Sequence, residues 1–158
     1  MNSNKSERFN YWTRAAMIGA IYALLTVIFA PISYGMIQVR ISEMLMVLPF
    51  FTTAAIPGLF VGCFIANIFG GQGILDIVFG SLATLLAAYL VSITSNKYLV
   101  PLPPVIINAI IVGWVLHVVL GFPFYLTALW VGFGQLLACY GLGLPLLLLL
   151  ERYRYIFK

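Results

Sequence analysis

Six long apolar runs, separated by proline, glycine and a few polar side chains, dominate the chain. Their lengths exceed those of buried strands, and they read as helices at 12–31, 40–54, 57–70, 74–95, 102–121 and 124–150. The first run passes Phe29 into Pro31 with no early small-residue cleavage site, so it reads as a retained helix rather than a secretory signal. In hydrocarbon every backbone N–H and C=O must be satisfied within the segment, which a helix does. The second run is short: 40–54 as an α-helix reaches about 22 Å of a hydrocarbon core about 30 Å thick. The stretch before it, 31–39, is expected to dip into the protein, where irregular backbone is tolerated only beside protein or a water-filled cavity.

Composition moves this pattern into a membrane. Hydrophobic residues make up 63% and charged residues 8%, against about 25% charged in soluble domains, and the mean hydropathy is +1.10. At about 20 residues per crossing, 158 residues leave no room for a separate soluble domain. The expected fold is an all-α integral membrane protein, a single membrane domain over 1–158 that forms a six-transmembrane-helix bundle in the cell membrane.

Charge then gives orientation. With six spans, Lys5, Arg8, Arg14, Lys97, Arg152, Arg154 and Lys158 fall on one side and Arg40 on the other. Cytoplasmic loops carry the excess of Lys and Arg, so both termini are expected to be cytoplasmic. The basic residues sit at chain ends and in one short loop, not on a continuous face, which argues against nucleic acid despite a pI near 9.2.

In this orientation the polar side chains gather at the outer ends of the helices. Arg40 and Glu43 open the second run, Asn67 closes the third, Asp76 opens the fourth, His117 closes the fifth, and Gln135 lies in the outer half of the sixth. Gln38 lies in the dipping stretch just before Arg40. Ionisable groups inside membranes usually face a bundle interior and serve a purpose. Each also has a plainer reading. Arg40 and Glu43, three apart, can pair with each other; Asp76 can simply favour a helix N-terminus; His117 can be interfacial; Asn67 and Gln135 can be interhelical glue. Tyr34, Trp114, Tyr125 and Trp130 offer stacking faces for a flat ligand or belong to the interfacial aromatic belt.

Small residues recur every fourth position: Ala16 and Ala20, Gly19 and Ala23, and Gly58, Gly62 and Ala66. Such spacing lets another helix approach closely, from this chain or from a partner. Cys63 and Cys139 have no metal-ligand spacing and read as buried inert thiols, so no metal is expected. The chain lacks a G-x-x-x-x-G-K-[ST] phosphate loop, an H-E-x-x-H and a G-x-S-x-G, so it is not expected to bind ATP in that manner or to act as an enzyme, and no cofactor is expected.

Four stretches, FAPISYGMIQVRISE (29–43), AIPGLFVGCFIANIFG (55–70), DIVFGSLATLLAA (76–88) and GLGLPLLLLLE (141–151), together resemble the queuosine-precursor transporter (QueT) family. These are substrate-binding S components of energy-coupling factor (ECF) importers, and the resemblance runs from about Arg14 to Arg152. It implies six helices, cytoplasmic termini and an extracellular-face site for a queuosine precursor such as 7-aminomethyl-7-deazaguanine. The site residues expected are Asp76, Glu43, Arg40, Gln135, Asn67, Trp114, Trp130, Tyr34, Gln38 and His117. It also implies an ECF transmembrane coupling subunit that meets Ala16 and Ala20, and two ATPase subunits that supply the energy. The family pattern often has Glu where this chain has Gln135. An S component for another vitamin, a self-associating pore and a ligand-free structural membrane protein are the alternatives.

Overall fold

The structure, a computed structural model, describes residues 3–34, 37–71 and 73–154. Lys158 and residues 35 and 36 of the dipping stretch lie outside them. All described elements are helical. Helix α1 is Ser3–Ile28 and α2 is Ala30–Ser33; a 3-10 helix, Ile41–Phe50, then leads to α3, Ala55–Phe69. A π-helical stretch, Asp76–Gly80, runs into α4, Ser81–Ile93, and a 3-10 turn, Lys97–Leu99, precedes α5, Leu102–Leu120. The last run is α6, Phe124–Gln135, a second π stretch, Leu136–Gly143, and α7, Leu144–Arg152.

Every predicted run contains helix. Four stretches are long and apolar enough to cross a membrane: Lys5–Ile28, Asp76–Ile93, Lys97–Leu120 and Phe124–Arg152; Ile41–Phe50 and Ala55–Phe69 are shorter. The second run is wound more tightly than the expected α-helix. Ten residues of 3-10 helix rise about 20 Å, close to the reach expected from the sequence. Helix α1 begins at Ser3 rather than at residue 12.

The molecule is apolar outside as well as within. Phe69 and Ile74 are 76% and 79% exposed, while Arg40, Glu43, Asn67, Asp76, Asn108 and Gln135 are buried. Lipid tails solvate the outer apolar faces, whereas polar groups need partners that only the interior supplies. Apolar packing still joins the elements: Tyr22, Leu45, Met46, Leu59, Cys63 and Ala87 form one cluster. Val47, Val91, Val100 and Leu147 form a second, and Ala83, Val112, Leu116 and Val131 a third.

Helices α1 and α3 touch backbone to backbone. A Cβ on Gly58 would stand 2.5 Å from the Ala15 carbonyl oxygen, and one on Gly62 would stand 2.6 Å from that of Gly19. Gly19, Gly58 and Gly62 therefore serve packing within the chain, the closeness that small residues permit. Ala16 and Ala20 lie on the other side of this seam, exposed, in a lateral groove of about 350 Å³ with Trp12, Pro57 and Val61.

Contacts sort the two ends of the bundle. At one end Tyr11 donates to the Thr53 carbonyl at 3.4 Å, Lys97 meets Glu151 at 2.9 Å and Arg154 stands over Phe50 at 5.8 Å. Three of the predicted cytoplasmic segments thus share one end with the foot of the 3-10 helix. The opposite end collects the α2 region, the end of α3 at Gly70, the start of the π stretch at Asp76 and the α5–α6 turn.

Candidate ligand site

At that opposite end the chain leaves α2, reaches Arg40 in extended backbone (φ −85°, ψ 105°) and only then enters the 3-10 helix. The extended conformation sends the Arg40 guanidinium away from the helix it caps. Its Nη2 lies 3.3 Å from Asp76 Oδ2, its Nε donates to the Ser33 carbonyl at 3.3 Å, and its Nη1 is 3.9 Å from Cys63 Sγ. The Tyr34 ring covers it, 5.6 Å from centroid to guanidinium carbon. Tyr34 is fixed in turn by its hydroxyl, which donates to the Ala66 carbonyl at 2.5 Å. Asn67, one residue on, donates to the Asp76 carbonyl at 3.0 Å. Tyr34, Arg40, Asn67 and Asp76 therefore form one cluster held by α3, the π stretch and the chain before the 3-10 helix.

This cluster is incompletely satisfied. Ser33 Oγ, Gln38 Nε2, Asn67 Oδ1 and Asp76 Oδ1 are buried without a hydrogen-bond partner. Each unsatisfied buried group costs about 1–3 kcal/mol, so four at one end call for a function. Two are acceptors, one is a donor and one a hydroxyl that does either. Gly80 lies beside them: a Cβ there would stand 3.0 Å from Asp76 Oδ1 and 3.1 Å from Asn67 Nδ2.

Gln38 adds strain. Its φ of 47° is left-handed, a conformation that costs a non-glycine residue of order 1 kcal/mol or more and persists only where surroundings enforce it. The enforcing surface is Gly134 of α6, whose missing side chain admits the Ile37 and Gln38 carbonyls. The loop is thereby seated beside Gln135, whose Oε1 accepts from the Cys139 thiol at 3.5 Å. Both π stretches sit at these places, one starting at Asp76 and the other directly after Gln135; π turns are rare and concentrate at functional sites.

One 3-10 turn below Arg40, Glu43 makes a second cluster. Tyr22 of α1 donates to its Oε1 at 2.5 Å and Asn108 of α5 to its Oε2 at 3.4 Å. Thr26 and Ser42 hydroxyls meet at 2.6 Å beside it, and Cys139 donates to the Glu43 carbonyl at 3.8 Å. Arg40 and Glu43 do not pair with each other, the plainer reading of their spacing, because Arg40 is turned to Asp76.

The remaining candidates stand apart. Trp114 packs edge-on against Phe79 at 5.3 Å, and both line a lateral groove of about 570 Å³ with His117 and Phe124. His117 Nδ1 lies 2.6 Å from the Phe122 carbonyl at the end of α5, Trp130 packs on Phe122 at 5.5 Å, and Tyr125 is exposed. These residues brace the α5–α6 turn, and Phe79, three residues after Asp76, joins them to the polar cluster. Ser33, Tyr22 and Asn108 went unread in the sequence. For Asn108 the signal was there: a lone amide in the middle of an apolar span, a place where polar residues bond across helices.

The family model described as QueT transporter matches residues 12–152. The queuosine precursor transporter QueT of Lactococcus lactis subsp. cremoris (strain MG1363) is 37% identical over 83 residues, which is 51% of this chain and 48% of the relative. The chain thus aligns with about half the length of that curated relative. No solved structure matches. With a family match over nearly its whole length and four helices of membrane-spanning length, the chain is a multi-pass membrane protein that belongs to the QueT transporter family.

Proposed function

We propose that this protein is the substrate-capturing S component of an ATP-driven ECF importer. In this reading it is a six-helix bundle with both termini in the cytoplasm, and it takes a queuosine precursor of the 7-aminomethyl-7-deazaguanine type at the extracellular face. The observation that carries the reading is the set of unpartnered buried atoms around the Arg40–Asp76 pair. A guanine-like edge presents a ring N–H and an exocyclic amine as donors and a carbonyl as acceptor. Asp76 Oδ1 and Asn67 Oδ1 suit the donors, and Gln38 Nε2 suits the carbonyl. Arg40 holds the far oxygen of Asp76 and so fixes the near one. Glu43 supplies further negative charge toward the cationic arm, Gln135 lines the side against α6, and Tyr34 is the stacking face nearest the pair. Trp114, Trp130 and His117 shape the mouth of the site through the α5–α6 turn.

The basic end described above supports the orientation: read as cytoplasmic under the positive-inside rule, it puts Arg40 and Asp76 on the outer side in this reading. No bond of the solute is made or broken in transport, so the chain's work is capture and reorientation. The outward groove at Ala16 and Ala20 is the face offered to the coupling subunit, and the two ATPase subunits act beyond it.

Calorimetry of the purified protein with 7-aminomethyl-7-deazaguanine tests the reading. Saturable binding of one ligand per chain is expected, and mass spectrometry should find the same base carried through purification. No heat of binding, with a different small molecule carried through, overturns it. For the partner face, Ala16→Trp with Ala20→Trp should abolish association with the coupling subunit in a pull-down while ligand affinity stays within about twofold. Association that survives removes this face.

A further inference from the structure

Helix α6 carries two glycines near its end, Gly132 and Gly134, and what lies against them differs. Glycine weakens a helix interior relative to alanine, so each calls for a reason. A Cβ on Gly132 would meet the Cβ of Ala109 at 3.4 Å, an ordinary contact. One on Gly134 would stand 2.0 Å from the Ile37 carbonyl oxygen and 2.9 Å from that of Gln38, and both are backbone atoms that no rotamer change moves aside. Close carbon–oxygen contacts run about 3.3–3.6 Å, so a methyl group at 134 drives the loop back by about 1 Å.

We propose that Gly134 is a positioning residue that sets the selectivity of the site: it seats the loop so that Gln38 offers its amide nitrogen to a ligand carbonyl. This rests on the deazaguanine reading above and deepens it, since the carbonyl is what separates that base from analogues with the same two donors.

The seat reaches the site along the backbone. The Gln38 carbonyl that lies on Gly134 also accepts the Arg40 backbone N–H at 3.0 Å, and Arg40 in turn holds Asp76. Gln38 is left-handed, with φ 47°, so its side chain leaves the loop in a direction that relaxed backbone does not give. It is buried, and its Nε2 has no partner. An amide donates at one end and accepts at the other. A loosened Gln38 can therefore present either end, while a seated one presents the nitrogen. Binding groups need to be held to about 0.5 Å for full effect, and the withdrawal that a side chain at 134 forces is larger. Gly134 itself touches no ligand in this account; it acts through Gln38 and Arg40.

The test is calorimetry of the full chain with 7-aminomethyl-7-deazaguanine and with its thiocarbonyl analogue, which keeps both donors and replaces the carbonyl oxygen by a weakly accepting sulfur. The parent protein should prefer the oxygen base by about fivefold. Gly134→Ala should bind the oxygen base about tenfold more weakly and bring the two affinities within about twofold of each other. Gly132→Ala should keep both the affinity and the preference. Gln38→Gly should lose the preference, and adding it to Gly134→Ala should weaken binding by less than about twofold more, because both act through one amide. If Gly134→Ala does not fold, the double variant should, since Gln38→Gly lets the two carbonyls withdraw. A parent without the preference, or a folded Gly134→Ala that keeps the parent's affinity or preference, overturns the role of Gly134 and leaves the deazaguanine reading standing. Fully additive losses in the double variant do the same, as does a double variant that fails to fold along with Gly134→Ala. A parent that binds neither base overturns both.

Discussion

The two polar clusters lie one 3-10 turn apart, around Arg40 and Glu43, and both are almost wholly buried. They differ in how their atoms are used. Around Glu43 both carboxylate oxygens accept hydrogen bonds, and the donors come from α1 and α5, far apart in sequence. Around Asp76 one carboxylate oxygen is held by Arg40, while the other, with single atoms of Asn67, Gln38 and Ser33, has no partner. A closed network ties helices together. An open one at the same depth leaves hydrogen-bonding capacity, which the proposed solute would use, with Glu43 contributing charge from its braced position.

Substitutions can break that distinction. The largest effect is expected from Glu43→Ala, which strands the Tyr22 hydroxyl and Asn108 amide and leaves a cavity. It should cost about 2–5 kcal/mol of stability, read as thermal unfolding in detergent. Asp76→Asn keeps the volume and an oxygen for Arg40 but can present a donor where the ligand also donates. Affinity should fall about tenfold to a hundredfold, about 1–3 kcal/mol, with a smaller loss of stability than Glu43→Ala. If Asp76→Asn instead leaves affinity within about twofold, the base is read elsewhere. The smallest effect is expected from Gln38→Gly. Relief of the left-handed backbone should raise stability by up to about 1 kcal/mol, while loss of one donor weakens ligand binding by about fivefold. A destabilised Gln38→Gly would mean that the side chain braces the loop.

The helical runs were legible because lipid leaves the backbone few options, and charged residues were legible because they are rare in such a chain. The kind of helix was not. ISEMLMVLPF is apolar on nearly every side, so no periodicity separates 3-10 from α, and Pro49 within it gives no warning that the tighter winding starts at Ile41. Partner choice was hidden for a related reason. The spacing of Arg40 and Glu43 suggests a pair on one helix face, but Arg40 precedes the helix in extended backbone and crosses to Asp76, 36 residues away. The π turn that carries Asp76 has no signature in DIVFG. Tyr22, in the middle of α1, looked like another apolar position until its hydroxyl was seen at Glu43.

The glycine seam between α1 and α3 makes those two helices a single stiff lever. With carbonyl oxygens of one helix seated on the glycines of the other, α1 cannot tilt or slide alone without separating backbones that have no side chains to cushion the movement. Its outer face carries Ala16 and Ala20, while α3 carries Cys63, Ala66 and Asn67 at the polar cluster. A push on the first helix therefore arrives at the carbonyl that holds Tyr34 and the amide that holds the Asp76 turn, as displacement of a rigid body rather than as a wave of side-chain rearrangements.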